Sequence, residues 1–161
     1  MRLALALCLV VSFAGSAIAQ ERQPTLQATH GSWEFYCNLN AVGQQDCFLF
    51  QAASNPGETE RVMTAFVAKP AGEEPLLRLT VPLGVFLPAG LNMQVDGFDL
   101  GTVSYVACFS NGCMTQINLD HDLADRMKAG IQATVTIGDP FGQIAQIPLS
   151  LSGFTAGWNS F

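Results

Sequence analysis

The sequence predicts an all-β fold, an antiparallel β-sandwich of eight to ten short strands with one short helix near residues 120–129. Three observations lead there. Apolar and polar residues alternate with period two through several short segments, as Leu77, Leu79 and Val81 do against Arg78 and Thr80. Turn signals rich in Pro, Gly, Asn and Asp separate those segments at short intervals, the spacing of hairpins in a sandwich. Only one stretch carries helical spacing, so the repeated helical crossovers of a βαβ fold are missing.

Residues 1–19 have the layout of a cleaved signal peptide. Arg2 is the basic start, Leu3 to Ala14 is almost unbroken apolar sequence, and Ala17-Ile18-Ala19 is a small-x-small cleavage site that makes Gln20 the first mature residue. The apolar run is short of the roughly 20 residues that span a bilayer as a helix, and no later segment is long and apolar enough. No transmembrane segment is therefore expected in the mature chain, and its localisation is expected to be the periplasm or the exterior. A lipoprotein reading around Cys8 would leave almost no apolar segment for export. Residues 20–30 are polar and read as a loose N-terminal lead-in, and residues 31–161 as a single β-sandwich domain.

Without Arg2 the chain carries six Lys and Arg against thirteen Asp and Glu, a formal charge of −7. The charge is spread rather than blocked. It argues against nucleic acid as a partner and against tight binding to anionic lipid. Four cysteines remain after the leader, Cys37, Cys47, Cys108 and Cys113. In an exported chain an even number reads first as disulfides. Of the three pairings, the local ones are expected, Cys37–Cys47 and Cys108–Cys113, each closing a short loop of polar or turn residues. On facing strands their Cα atoms would sit roughly 5.5 Å apart. The nine residues between Cys37 and Cys47 fit a structural zinc site poorly, and no C-x-x-C pair suggests redox chemistry.

In chain order, residues 33–37 form a strand with Trp33, Phe35 and Cys37 on one face. Residues 46–53 are apolar on both faces, and 54–59 is a turn cluster. The continuous apolarity of 61–69 marks a central strand. After the strand at 77–81, Val85-Phe86-Leu87 lies between Pro82-Leu83-Gly84 and Pro88-Ala89-Gly90 and is long enough only for a bridge. Leu91, Met93 and Val95 alternate up to the Asp96-Gly97 turn. Residues 102–108 and 113–119 follow as two strands. The helix has Asp120 as N-cap, Leu123 and Met127 on one face, and Gly130 expected to close it in the left-handed region. Ile131, Ala133, Val135 and Ile137 alternate next. After the Asp139-Pro140-Phe141-Gly142 turn, so do Ala145, Ile147, Leu149 and Leu151, with Pro148 marking an edge strand or bulge. The Phe161 end fails the alternation of an outer-membrane barrel strand, because Thr155, Gly157 and Asn159 share its parity.

Val81-Pro82-Leu83-Gly84-Val85, Leu87-Pro88-Ala89-Gly90 and Asp96-Gly97 together resemble the central motif of the invasion-associated locus B family. Trp33, Cys37 and Cys47, the Cys108-x4-Cys113 pair ahead of the Leu123 to Gly130 helix, and Leu149-Ser150-Leu151-Ser152-Gly153-Phe154 add to it in order and spacing. The likeness covers roughly residues 30–155. The family consists of exported Gram-negative proteins and takes its name from a locus linked to host-cell entry. The resemblance implies a β-rich periplasmic or envelope domain and no enzymatic mechanism.

The residues themselves offer little chemistry. His30 reads as a loop histidine. His121 lies among Asp120, Asp122 and Asp125, where a dipole-matched first turn explains the acids better than a metal does. Ser110 with His121 and an Asp lacks the Gly-x-Ser-x-Gly turn of a hydrolase, and no Gly-rich phosphate loop is present. Leu83, Val85, Phe86 and Leu87 are either sheet-end packing or a partner or ligand surface. The expectation is a non-enzymatic, disulfide-stapled envelope protein without cofactor or metal. It would bind an envelope or host protein, or a small ligand, through loops at one end of the sandwich. The alternative is a periplasmic hydrolase using His30 or His121.

Overall fold

Alternation of inward apolar and outward polar residues builds both sheets of the structure, a computed structural model that describes residues 23–161 except 41, 56 and 58. The expected signal peptide and the start at Gln20 lie outside the described residues. The elements are β1 (Thr25–His30), β2 (Trp33–Leu39), β3 (Gln45–Ser54), β4 (Arg61–Ala68), β5 (Leu76–Val81), a 3-10 turn (Leu87–Ala89), β6 (Leu91–Val95), β7 (Phe98–Val103), β8 (Tyr105–Phe109), β9 (Gly112–Asn118), α1 (His121–Ala129), β10 (Gln132–Gly138), β11 (Ile144–Ser150) and α2 (Phe154–Trp158). Seven strands form one sheet in the order β1-β2-β3-β4-β5-β9-β8, and four form the other in the order β11-β10-β6-β7. Every pairing between neighbouring strands is antiparallel.

The core lies between the sheets. Met63, Ala65 and Val67 of β4, Leu77, Leu79 and Val81 of β5, Leu91, Met93 and Val95 of β6 and Ala133, Val135 and Ile137 of β10 supply it. As its apolarity implies, β4 is the central strand of its sheet. One polar group joins the layers deep inside. The Gln51 side chain donates to the Ser150 carbonyl (2.9 Å) and accepts from the Ser150 N–H (3.0 Å), so it pairs with β11 as a short piece of strand would. The Trp33 indole donates to the same carbonyl at 3.0 Å, while its ring packs edge-on against Phe154. These bonds satisfy polar atoms that burial would otherwise strand at a cost of about 1–3 kcal/mol each.

Five expectations need correction. The lead-in is structured from Thr25 onward, because polar β1 pairs along β2 as an edge strand and needs no apolar face of its own. The strand expected over 102–108 is two, divided at Ser104, with β7 in the smaller sheet and β8 in the larger. Tyr105 packs against the core from the larger sheet, while Val103, at the end of β7 in the smaller sheet, is half-buried. Residues 85–87 form no bridge strand, and a 3-10 turn begins at Leu87. Gly130 caps α1 in an extended conformation (φ −77°). Glycine is needed there for space, since a Cβ would lie 2.7 Å from Val95 Cγ1 and 2.8 Å from Leu151 Cδ1. Finally, the described residues form eleven strands in place of eight to ten, and a second helix, α2, packs Phe154, Gly157 and Trp158 inward.

Three further expectations, a helix cap, a turn and the cysteine pairing, are met. Asp120 caps α1 through a 2.8 Å bond from the Leu123 N–H. Asp96 and Gly97 both have positive φ (48° and 81°), as a two-residue primed hairpin turn requires. Cys37 is bonded to Cys47 and Cys108 to Cys113, each pair directly opposite in its ladder. Their Cα separations of 4.1 and 4.0 Å are shorter than the expected figure and belong to the close, non-hydrogen-bonded type of cross-strand position. Among the described residues no helix is long and apolar enough to cross a membrane.

Candidate functional site

The chain leaves β5 at Val81 and crosses to the smaller sheet through residues 82–90, which contain no ionisable side chain. This crossing is held at several points. The Phe86 N–H donates to the Gly138 carbonyl at 2.7 Å, the Ala89 N–H to Phe86 and the Gly90 N–H to Leu87. Pro88 is the second residue of the 3-10 turn, a position where its missing N–H costs nothing. Gly90 has φ 69°, and a Cβ there would press on the Val103 carbonyl at 2.7 Å. Val85 is half-buried and packs against the core, while Leu83, Phe86 and Leu87 stay exposed.

Two neighbouring turns extend this apolar surface. Gly138, bonded to Phe86, pairs with Ile144 across the β10–β11 hairpin. In that turn the Asp139 carboxylate accepts from the Phe141 and Gln143 N–H groups at 2.8 Å each, and the Gly142 N–H donates to the Asp139 carbonyl. The turn is thereby rigid, yet it holds Phe141 88% exposed and Ile144 72% exposed. On the other side Gly112, packed against the Val81 carbonyl, seats the tip of the β8–β9 hairpin beside the start of the crossing, and Phe109 is exposed there. The result is a rim of six large apolar side chains, Leu83, Phe86, Leu87, Phe109, Phe141 and Ile144, with Asp139 as the only ionisable residue of the three loops. Leu83, Phe86 and Leu87 were legible from their place between prolines. Phe141 reads in the sequence as a turn residue and Ile144 as part of the next strand, although a large apolar residue inside an Asp-Pro-x-Gly turn is itself a signal.

The sheet edges are poor docking rails by comparison. β1 carries one extra residue at Gln27, β8 one at Val106, and β7 one opposite Met93. The β7 bulge is pinned by the Asp99 carboxylate, which accepts from Asn92 (2.7 Å) and from the Gly101 N–H (3.0 Å); these bonds, the Gly101 one foremost, hold its pKa below the usual carboxylate value. The fourth edge, β11, contains Pro148. Bulges and proline are the devices that stop an edge from recruiting another strand.

The residues weighed for catalysis do not assemble. His121 bonds Asp125 at 3.0 Å on the exposed side of α1, and Lys128 bonds the same carboxylate at 2.9 Å. Lys128 first, and His121 after it, hold the Asp125 pKa low. Ser110 sits in the β8–β9 turn, on the rim, and not with this pair. The His30 Nε2 lies 3.0 Å from the Ser160 hydroxyl, which also donates to the Ala156 carbonyl, and no carboxylate bonds His30 among the described residues. Between α1 and the β6–β7 hairpin is an open cleft of about 550 Å³. Its Arg126 guanidinium stacks 3.7 Å over the Phe98 ring, and its Asp96 carboxylate is taken up by the Ile131 and Gln132 N–H groups. Among the described residues no three His, Cys, Asp or Glu side chains are grouped to hold a metal.

A model of the invasion-associated locus B protein family matches residues 33–161, which include both disulfides, the crossing and every rim residue. The chain belongs to the invasion-associated locus B family. Curated relatives include the invasion protein B homologs of Brucella abortus strain 2308 and of Brucella abortus biovar 1 strain 9-941. Each is 28% identical over 137 residues, covering 82% of this chain and 76% of the relative. The crystal structure of invasion-associated protein B from Bartonella henselae superposes with a TM-score of 0.75 at 22% identity, covering 84% of this chain and 94% of that one. The two chains therefore share a fold, which in the present chain is two antiparallel sheets with short helices. Two bridged cysteine pairs fit an exported member of the family, since such bonds persist in oxidising compartments.

Proposed function

We propose that this locus B family member is an exported, non-enzymatic binding module of the cell envelope that works through the rim of loops between its sheets. The observation that carries the reading is the rim itself. Six large apolar side chains are held out on hydrogen-bonded turns, at a place where folding does not require them. Large apolar side chains left exposed together on neighbouring loops mark interaction sites. The relatives' names tie them to invasion, and an envelope module that adheres to a surface is compatible with such a role. The competing reading, a periplasmic hydrolase using His30 or His121, has in its favour the His30–Ser160 and His121–Asp125 contacts, which do not meet in one site.

Two experiments test the proposal. Osmotic-shock fractionation of the native host should release a chain that begins at Gln20 with both local bridges closed; a cytoplasmic chain beginning at Met1, or a Cys37–Cys108 link, would refute it. In a strain whose deletion gives an envelope phenotype, His30→Ala with His121→Ala should complement fully, whereas Phe86→Ser with Phe141→Ser should not. The reverse pattern at unchanged abundance would favour the hydrolase.

A further inference from the structure

Resting on that reading, we infer that the rim's partner is the neutral, zwitterionic interface of a lipid bilayer, with the loop tips entering the boundary between headgroups and acyl chains. The side chains separate lipid from protein first. Protein interfaces draw most of their energy from Trp, Tyr and Arg anchors seated in pockets. The rim has none of these; it offers Phe, Leu and Ile, which suit insertion at the lipid interface.

Charge narrows the choice further. The crossing and the β8–β9 tip carry no ionisable group, and the whole chain has a formal charge of −6. Nothing on the rim attracts anionic headgroups, and the net charge repels them. A neutral surface is the one it complements.

The backbone of the β10–β11 turn gives an independent reason. A loop can enter a low-dielectric layer only if few of its N–H and C=O groups are left without partners. The β10–β11 turn meets that condition: Pro140 has no N–H, the N–H groups of Asp139 and Gly142 are bonded to backbone carbonyls, and those of Phe141 and Gln143 to the Asp139 carboxylate. Every N–H of residues 139–143 is thereby satisfied, whereas the crossing is bonded, among the described residues, at Phe86, Ala89 and Gly90 alone. The Asp139 carboxylate is bonded inside the turn to the Phe141 and Gln143 N–H groups at 2.8 Å each, which offset its charge where the ring enters. Protruding tips also suit a fluid partner that closes around them.

The test is sedimentation of the protein purified from its native host with phosphatidylcholine vesicles. The wild type should partition onto them, undiminished in 0.5 M salt, and should gain nothing from added phosphatidylglycerol. Phe86→Asp with Phe141→Asp should lower partitioning at least tenfold without moving the melting temperature, since both rings are exposed. Failure of the wild type to sediment, equal partitioning of the variant, or binding that needs anionic lipid and vanishes in salt would each overturn the inference. A photo-reactive residue at position 141 in cells separates it from the broader reading. An adduct with phospholipid supports the lipid interface. An adduct with protein alone removes lipid and leaves the binding module. No adduct, together with full complementation by the Asp variant, removes both.

Discussion

On the outer face of the larger sheet, Tyr36, Phe48 and Phe66 stand side by side across β2, β3 and β4, with ring centroids 5.5 and 4.7 Å apart, and Arg78 of β5 closes the row over Phe66 at 5.9 Å. On the rim, Phe86, Phe109 and Phe141 make no ring contact among the described residues. Both surfaces are apolar and both lie outside the core. The row has its faces occupied: Phe48 is covered by Tyr36 on one side and Phe66 on the other, and Arg78 is held in turn by Gln116 at 3.1 Å. The row is therefore cross-strand packing that stabilises the sheet, and it leaves little surface for a partner. The rim stabilises nothing comparable. An apolar residue is a functional signal when its neighbours leave it uncovered, and composition alone does not distinguish the two cases.

Truncation sharpens the contrast. Phe48→Ala removes a half-buried ring with two aromatic neighbours, and we expect a loss of about 2 kcal/mol in urea unfolding. Phe141→Ser removes a ring that is almost wholly in water, and we expect a change within about 0.5 kcal/mol. Equal losses at the two positions would mean that the rim is packing after all.

The sequence made the period-two strands legible, because a half-buried strand has to alternate. Helix α1 was legible because its cap, its face and its last-turn charges agree. What escaped was set by tertiary contact. β1 shows no apolar alternation because an edge strand over β2 needs little. The change of sheet at Ser104 leaves the inward parity intact, so periodicity does not register it. Gln51 looked like one more residue of an apolar strand, and its partner is 99 residues away. α2 is five residues long, too short for a helical period. The rim was half legible: Leu83, Phe86 and Leu87 lie together in the chain, while Phe109, Phe141 and Ile144 join them only through the Gly112–Val81 approach and the Phe86–Gly138 bond.

The smallest expected effect probes the outer end of the aromatic row. The chain has two tyrosines, and both are held above the ordinary phenol value near 10 for different reasons. Tyr36 is raised first by the hydrogen bond it donates to Glu34 at 2.9 Å. Tyr105 is raised by burial, and its hydroxyl has no partner among the described residues. A raised folded-state pKa means that the neutral phenol is the form the fold favours. The associated stability is therefore complete below about pH 10 and is lost as pH rises through the folded values. Tyrosinate absorbance should show both groups ionising later than free tyrosine. Glu34→Ala should return Tyr36 toward the ordinary range, because it removes the acceptor and its charge together, and should leave Tyr105 where it was. If instead both titrations move, the outer face and the core side of the sheet are coupled, and the row is not the self-contained structure that its contacts describe.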